Sequence, residues 1–460
     1  MNTTLTDSLN LDQLDQSNID LSIYRSFIKT RKSPIYQGKI KEVKGYLIKA
    51  YNPGLEVGTS CKIGSAKSSQ TYYGEVVGFE GDCAYIMLFE DVYGIGPQHF
   101  VSAEKSINFV SVGNELLGRV VDARGNPLDG KPVPATEEFV PLYGNPVNPL
   151  HRRRITEPLD VGVKAINGLL TIGKGQRMCV IAGSGVGKSV LLGMMASNTE
   201  ADVKIICMVG ERGREVREFI EKEIGRQGMK KTIVVVATSE QSPLLRIRSA
   251  FLATSYAEYF REKGKDVLLL MDSSTRLAMA RREIGLAVGE PPTSKGYPPS
   301  VYTLLPRLLE RAGNSESKGS ITGIYTALAT ENDMDDPIVD AVRSIVDGHI
   351  ILDKKIAARN HFPAIDVLNS KSRVMTDIIS DTHKQTSARL IDTFATYTDS
   401  EDMINVGAYV FGANPKIDYS IKKINEINDF LKQDVREKVT LHQTSAILEK
   451  ITSDFPQQFQ

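Results

Sequence analysis

Apolar residues in the middle of the chain fall into short continuous runs separated by stretches of helical periodicity. The runs are MCVI (178–181), VKIICMV (203–209), TIVVVAT (232–238), DVLLLMD (266–272) and GSITGIYTAL (319–328). Between two of them, SPLLRIRSAFLATSYAEYFREKG (242–264) has apolar residues at helical spacing and ends in a glycine. Continuous apolar runs are typical of strands buried on both faces, and strand–helix alternation builds a mostly parallel sheet flanked by helices. The pattern predicts an α/β core.

The flanking regions have different patterns. Residues 31–108 contain short strand-like runs separated by glycines, such as GKIKEVKGYLIKAY (38–51), which predict a small barrel or a sandwich. After about residue 380 the pattern is helical to the end of the chain. Residues 1–30 are polar with scattered leucines and isoleucines, so they form either a docking helix or a loose terminus. We therefore expect four parts: an N-terminal extension (1–30), a β-barrel domain (31–108), an α/β domain (109–378) and a C-terminal helical domain (379–460).

Composition narrows the class of protein. Lys plus Arg and Asp plus Glu both number 56, so no overall charge attracts the chain to nucleic acid or to anionic lipid. The four cysteines show no C-x-x-C spacing, which favours structural thiols over a disulfide or a metal site. No apolar run reaches the roughly 18 residues of a membrane span, and the polar N-terminus is not a signal peptide. These features predict a soluble, cytoplasmic protein.

The stretch RMCVIAGSGVGKSVL (177–191) predicts a phosphate-binding loop. It has the spacing of a P-loop, except that Ala182 stands where the first glycine is usual. We expect backbone N–H groups from Gly183 to Gly187 to surround a nucleotide β-phosphate, Lys188 to reach the β- and γ-phosphates, and Ser189 to bind Mg²⁺. The alternative, a chance glycine-rich turn, does not account for the strand before it and the helix after it. The expected nucleotide-binding residues of this loop are Gly183, Ser184, Gly185, Val186, Gly187, Lys188, Ser189 and Val190.

Two carboxylates follow other apolar runs. Asp272 ends DVLLLMD, which is where a ligand of the Mg²⁺ shell must lie beside a P-loop strand; its alternative role is a helix cap. Glu211 follows VKIICMV and Gly210, at the edge where open α/β sheets bind ligands. It is either the residue that orients the attacking water or a surface glutamate in a charged turn.

Four longer segments carry a resemblance to a known family. They are GLLTIGKGQRMCVIAGSGVGKSVLLGMMA (168–196), GERGREV (210–216), MDSSTRLAMARREIGLAVGEPPTSKGYPPSVYTLLPRLLERAG (271–313) and HFPAIDVLNSKSRVM (361–375). Together they resemble the rotary-type hexameric ATPases, and within them the ATPase of the type III protein export apparatus. The resemblance runs from about residue 30 to the C-terminus, and GKSVLLGMMA and SRVM favour the flagellar branch over the virulence-secretion branch.

The resemblance implies a RecA-like core and roles for further residues. Lys188 and Ser189 match the P-loop, Asp272 matches the Mg²⁺-site aspartate, and Glu211 matches the catalytic glutamate. Arg212 and Arg276 match arginines near the γ-phosphate, with salt bridges in the core as their alternative role. Arg373 matches an arginine that reaches the nucleotide of a neighbouring subunit, and its alternative is a helix-surface arginine. Phe362 matches an aromatic residue that stacks on adenine, and we expect Tyr409 to close the other side of that pocket unless it is a core tyrosine.

The family implies a function and partners as well. We expect Mg²⁺-dependent ATP hydrolysis by a homohexamer that energises flagellar protein export, with virulence-type secretion as the alternative. Expected partners are an axial stalk protein, a negative regulator or stator-like protein at residues 1–30, the export gate, and chaperone–cargo complexes, with only peripheral association with the inner membrane. Two rival hypotheses are a nucleic-acid translocase and a non-catalytic nucleotide-binding subunit. Residues 31–108 lack a basic and aromatic cluster, which disfavours the first, and the presence of Lys188 and Glu211 disfavours the second.

Overall fold

The computed structural model describes residues 37–65, 68–104, 108–316, 318–329 and 336–456. The N-terminal extension expected at residues 1–30 lies outside this part of the chain.

The first six strands form a closed barrel in the order β1-β2-β5-β4-β3-β6. Their alternating residues, among them Ile48, Ile63 and Ile86, point inward and form a separate hydrophobic core. Strand β6 returns to β1 through the pair Gly38↔Val101, which decides between the two predicted forms in favour of the barrel. The strands are β1 (Gly38–Lys44), β2 (Leu47–Tyr51), β3 (Ser60–Ser65), β4 (Ser68–Glu80), β5 (Cys83–Leu88) and β6 (Phe100–Ala103).

The central sheet has the order β19-β18-β12-β17-β15-β13-β14-β8, and β16 pairs with β17 beside it. Strands β8, β12, β13, β14, β15, β17 and β18 are parallel to their neighbours in this order, whereas β19 is antiparallel to β18. The predicted, mostly parallel α/β core is thus confirmed. The strands are β8 (Val120–Asp122), β12 (Arg177–Ala182), β13 (Val203–Glu211), β14 (Thr232–Thr238), β15 (Asp266–Asp272), β16 (Gly313–Asn314), β17 (Ser320–Leu328), β18 (Gly348–Leu352) and β19 (Ile365–Ser372).

Both faces of this sheet are covered. In β13, Ile205, Cys207 and Val209 belong to one hydrophobic cluster, whereas the alternate residues Ile206 and Met208 belong to the other. This alternation explains why the strand is a continuous apolar run in the sequence. All four cysteines are buried and free.

The helices lie on the two faces of the sheet. The face that contains Ile206 carries α1 and α2 and the three long helices near the C-terminus, α11 to α13, and the opposite face carries α5 to α8. None of the helices in the described part of the chain is long and apolar enough to cross a membrane. The α-helices are α1 (Lys164–Leu169), α2 (Lys188–Asn198), α3 (Gly213–Glu218), α4 (Gly225–Met229), α5 (Pro243–Glu262), α6 (Ser274–Ala287), α7 (Pro299–Leu309), α8 (Pro337–Ile345), α9 (Lys354–Ala358), α10 (Met375–Ile378), α11 (Asp381–Asn405), α12 (Pro415–Leu431) and α13 (Leu441–Ile451).

The segment after the barrel joins it to the core. Strand β7 (Phe109–Val112) pairs with β9 (Glu138–Pro141) as a two-stranded ribbon, and β8 between them extends the central sheet. A second small pair, β10 (Pro158–Leu159) and β11 (Ile172–Gly173), precedes the P-loop strand β12.

A buried arginine connects this segment to the core. The side chain of Arg311 is fully buried; its Nε donates to Glu258 Oε1 (2.9 Å), and its Nη1 donates to the carbonyl oxygen of Leu142 (2.9 Å). Its Nη2 also donates to the Ser255 hydroxyl oxygen at 3.0 Å. Removing a buried arginine with this many partners is strongly destabilising, because the carboxylate of Glu258 then stays in the protein without a cation beside it.

We expect Arg311→Leu to destabilise the protein by about 3–5 kcal/mol, because Glu258 would stay largely buried without a cation. Calorimetric unfolding temperatures of the variant and the parent chain measure the effect. The control is Lys263→Ala, whose partner Glu138 is about half exposed, and which should cost less than about 1 kcal/mol. Similar small shifts for both variants would contradict the structural role of Arg311.

Candidate nucleotide site

The P-loop lies between the end of β12 and the start of α2. Gly185 (φ 78°) and Gly187 (φ 92°) are in the left-handed region, where a side chain would be strained, and Lys188 begins the helix. Ala182 is still part of the strand, paired with Leu328 and Leu352 on either side. Extended backbone accepts any residue, so an alanine at the usual first glycine does not disturb the loop.

Lys188, Asp272 and Glu211 meet at the carboxyl edge of the sheet. The ammonium nitrogen of Lys188 lies 2.5 Å from Asp272 Oδ1 and 3.9 Å from Glu211 Oε1. Thr326, from the strand between β12 and β15, donates its hydroxyl to the same Asp272 oxygen at 2.7 Å. All three charged side chains are only 10–12% exposed. The site therefore holds one cation between two carboxylates, largely out of contact with water.

Glu211 carries an altered proton affinity. Burial, and then the negative charge of Asp272 and a hydrogen bond with Glu215, raise the pKa of Glu211 to about 7, against the opposing effect of Lys188. A carboxylate of this kind can gain or lose a proton close to neutral pH, which is the property expected of a general base or a water-orienting group.

A cavity of about 640 Å³ opens around the P-loop. Besides the loop itself, it is lined by Glu211, Arg212, Glu215 and Arg276. The Nε of Arg276 is buried and has no hydrogen-bond partner among the described residues. Arg276 packs closely against Gly210, because a Cβ at position 210 would lie only 3.1 Å from Arg276 Cβ. Arg212 is 74% exposed and lies 3.5 Å from Glu215 Oε1. The structure thus brings both predicted arginines to the P-loop.

An apolar pocket of about 280 Å³ adjoins the P-loop and contains Phe362, whose side chain is accessible. Tyr409 is not part of this lining, contrary to expectation. Its hydroxyl instead lies 2.8 Å from Asp418 Oδ1 and 3.0 Å from the carbonyl oxygen of Asn414, within the loop that precedes α12. Of the lining residues, Val186, Gly187, Val190 and Phe362 were predicted from the sequence, whereas Gln433 and Val435 after α12, and Leu191 and Met194 in α2, were not. The full lining is Val186, Gly187, Val190, Leu191, Met194, Leu352, Phe362, Pro363, Ala364, Gln433 and Val435.

Arg373 lies at the opposite edge of the sheet from the P-loop. It follows β19, and its backbone N–H donates to the carbonyl oxygen of Asp347, whose carboxylate binds Arg177 at the start of β12. The P-loop follows the end of β12, a strand of six residues that spans roughly 17 Å at about 3.3 Å per residue. The exposed side chain of Arg373 therefore does not approach Lys188 of its own subunit.

The surroundings of Arg373 are positively charged. Burial, and then the positive charges of Arg343, Arg373 and Lys371, lower the pKa of His349. Arg343, Lys371 and Arg373 thus place three cationic side chains around His349.

The described residues include no group of three or more His, Cys, Asp or Glu side chains that could hold a metal ion. A site for Mg²⁺ with ATP does not require such a group, because Mg²⁺ keeps several waters and takes phosphate oxygens with only one or two protein ligands. Asp272 and Ser189 both line a side cavity of about 210 Å³ next to the P-loop. Oxygen ligands of these types fit Mg²⁺.

Comparison with known proteins gives consistent matches along the chain. The model of the ATP synthase alpha/beta family nucleotide-binding domain matches residues 162–372, and that of the same family's beta-barrel domain matches residues 40–104. The model of the T3SS EscN ATPase C-terminal domain matches residues 379–450.

Two relatives illustrate the similarity in sequence. The flagellum-specific ATP synthase of Bacillus subtilis (strain 168) is 48% identical over 418 residues, covering 91% of this chain and 95% of the relative. The type 3 secretion system ATPase of Xanthomonas euvesicatoria is 45% identical over 417 residues, covering 91% and 94%.

Solved structures agree. The assembled ATPase EscN of the enteropathogenic E. coli type III secretion system superposes with a TM-score of 0.85 at 42% identity, covering 90% of this chain and 99% of EscN. EscN in complex with its central stalk EscO superposes with a TM-score of 0.83.

We expect Glu211→Gln to stabilise the nucleotide-free protein at pH 8 but not at pH 4. The pKa of Glu211 is about 7 in the fold against an ordinary value of 4.5, so its ionisation opposes folding increasingly as pH rises from 4.5 to 7, and fully above pH 7. Removing the charge should return on the order of 1–3 kcal/mol at pH 8. Chemical denaturation at the two pH values measures the difference.

Glu240→Gln is a control of opposite sign. A hydrogen bond from the Thr238 hydroxyl is the main cause that lowers the pKa of the exposed Glu240, so this variant should not gain stability at pH 8. A gain for Glu211→Gln that is equal at both pH values would contradict the raised pKa.

Proposed function

The chain is an ATPase of the ATP synthase alpha/beta family, in the branch of flagellar and type III secretion ATPases, and from this we propose that it works as a homohexameric ring that energises flagellar protein export. The observation that carries the proposed chemistry is the position of Lys188 between Asp272 and Glu211 at the end of the P-loop. A lysine and two carboxylates at a glycine-rich helix start can supply the cation for the phosphates, a metal ligand and the group that orients the water in phosphoryl transfer.

The residues of the P-loop bind the phosphates of ATP. Backbone N–H groups from Gly183 to Val190 surround the phosphates at the positive N-terminus of the eleven-residue helix α2. Lys188 leaves Asp272 to contact the β- and γ-phosphates. This step takes the cation away from the buried Asp272, so it is favourable only if another cation takes the place of Lys188 there.

Asp272 and Ser189 would hold the Mg²⁺ that accompanies ATP. Asp272 is buried, and its two partners described above are Lys188 and the Thr326 hydroxyl. When Lys188 turns to the phosphates, only the Thr326 hydroxyl is left of these two. A buried carboxylate in that position needs a second cation, which the metal supplies together with charge neutralisation of the phosphates.

Glu211 orients the attacking water and accepts its proton. It lies at the cavity beside the P-loop, and with a pKa of about 7 it can accept a proton under neutral conditions. Arg276 supports the γ-phosphate, since its buried Nε lacks any partner within the described protein. Arg212 is the more exposed of the two arginines and exchanges its contact with Glu215 for the nucleotide.

Arg373 completes the site of a neighbouring subunit. Arg373 lies too far from the P-loop of its own subunit, and in the proposed closed ring it faces the P-loop of the next one. An arginine supplied in trans neutralises charge that develops in the transition state. One chain that carries both Glu211 and Arg373 can therefore form a ring of identical active sites.

Export through a flagellar apparatus is the finer part of the proposal, supported by relatives of that name in Bacillus, Pseudomonas and Salmonella. Type 3 secretion ATPases are of similar identity, so virulence-type secretion is the alternative that experiment must exclude. An axial stalk is a further proposed partner because EscN binds its central stalk EscO. We further propose that the protein acts in the cytoplasm, associates peripherally with the inner membrane, and binds the export gate, a regulator and chaperone–cargo complexes.

A chromosomal Glu211→Gln allele should abolish swimming and external flagellar filaments while the protein accumulates to the normal level. Microscopy, motility plates and immunoblotting measure these outcomes. Re-expression of the parent chain is the control and should restore filaments. Normal filaments together with a defect in secreted virulence proteins would replace the flagellar assignment with the alternative.

Mixed rings test the shared site. Glu211→Gln and Arg373→Ala chains should each hydrolyse less than about 1% of the parent rate, and their equal mixture should recover activity because about one in four interfaces then has both residues intact. Steady-state phosphate release on size-selected rings measures the recovery. As a control, Arg373→Ala mixed with the chain carrying both substitutions has no intact arginine and should stay inactive. No recovery in rings that demonstrably mix would refute action in trans.

A further inference from the structure

The chain that follows α12 crosses the apolar pocket and is attached to the core by one buried side chain. Gln433 is 6% exposed, and its amide makes three hydrogen bonds. Its Oε1 accepts from the backbone N–H of Lys164 (2.7 Å), and its Nε2 donates to the carbonyl oxygens of Gly162 (2.8 Å) and Glu437 (2.8 Å). Both N–H bonds of this amide are therefore used within the protein.

The same residue is joined to both sides of the pocket lining. Its backbone N–H donates to the carbonyl oxygen of Phe362 at 3.0 Å, and Val435 follows two residues later in the same lining. The bond to Glu437 closes a short turn around Val435. Gln433 thus fixes the distance between an aromatic wall, an aliphatic wall and the start of α1.

Gln433 is also the only polar side chain among the residues that line this pocket. Both amide N–H groups of Gln433 are bonded within the protein. The lining side chains can therefore stack on a base or make apolar contact with it, but they provide no hydrogen-bond donor. Affinity for the base then depends on the distance between the two walls, because the energies of stacking and dispersion fall steeply as that distance grows.

We propose that Gln433 is a positioning residue for the nucleotide base, which holds Phe362 and Val435 at the separation that a base fills. The inference rests on the proposed function, and it takes the apolar pocket beside the P-loop, where the resemblance implies that Phe362 stacks on adenine, as the site for the base of ATP. Helix α12 ends at Leu431, two residues before Gln433, so a displacement of this helix would act on the base pocket through Gln433.

A ligand without a base separates positioning from general stability. Tripolyphosphate with Mg²⁺ is such a probe, because it binds at the P-loop and does not enter the apolar pocket. For Gln433→Met, which keeps the size of the side chain and removes its hydrogen bonds, we expect KM for ATP to rise about fivefold or more with kcat within about twofold. The inhibition constant of tripolyphosphate against ATP hydrolysis should stay within about twofold.

Two further variants make the test specific. Gln433→Glu keeps the acceptor for Lys164 but places an anion against two carbonyl oxygens, so KM should rise again, and this variant reports if Gln433→Met fails to fold. Asn167→Ala removes a fully buried amide that donates to Val439 further along the same segment, at 3.2 Å, and lies outside the pocket. It should lower the unfolding temperature and leave KM unchanged.

The outcomes are distinct. Equal weakening of ATP and tripolyphosphate, an unchanged KM in both Gln433 variants, or an equal rise of KM in Asn167→Ala would overturn the role of Gln433. Absence of MgATP hydrolysis in the parent chain would instead overturn the proposed function itself.

Discussion

The nucleotide site depends on the parallel pairing of β12, β13 and β15. Parallel strands place all their carboxyl ends at one edge, so the P-loop, Glu211 and Asp272 meet there although up to 89 positions separate them in the sequence. Neighbouring strands are about 4.8 Å apart, and β17 lies between β12 and β15. Lys188 is long enough to cross this gap to Asp272, and Thr326 on the intervening strand binds the same oxygen. Reversal of any one strand would move its carboxylate to the far edge of the sheet.

Charge balance at this edge determines what can bind. In the nucleotide-free site Lys188 lies between two carboxylates, and burial, followed by the negative charge of Asp272, raises the pKa of Glu211 to about 7. A triphosphate that arrived alone would draw Lys188 away and leave Asp272 uncompensated in a nearly dry pocket. The arrangement therefore favours an anion that brings its own cation, and it links the protonation of Glu211 to the occupation of the site.

The sequence predicted the elements whose signals are local. Apolar runs ending in Asp272 and before Glu211 located both carboxylates, and glycine spacing located the P-loop. The closure of the barrel through Gly38↔Val101 and the extension of the sheet by Val120–Asp122 were not predictable, because strand pairing over long separations leaves no local trace. The error at Tyr409 has the same origin. Gln433 and Val435, which line the pocket instead, are some seventy residues from Phe362, and nothing in the local pattern KQDVRE indicates that they line a pocket with it. Thr326 could have been noticed as a hydroxyl within an otherwise apolar strand end.

On the proposed mechanism, three separate parts of the structure bear on one nucleotide. The parallel edge holds the phosphates and the water, the opposite edge of a neighbouring sheet supplies Arg373, and the chain after α12 supplies one wall for the base. The parts are attached to the sheet in different ways: Arg373 follows the edge strand β19, whereas the wall is held by the hydrogen bonds of the buried Gln433. On this mechanism the base contacts the C-terminal part of the chain, while transition-state stabilisation depends on the approach of the next subunit. A division of this kind lets the ring couple occupancy to helix position and hydrolysis to subunit contact, which a site built within one rigid body would not allow.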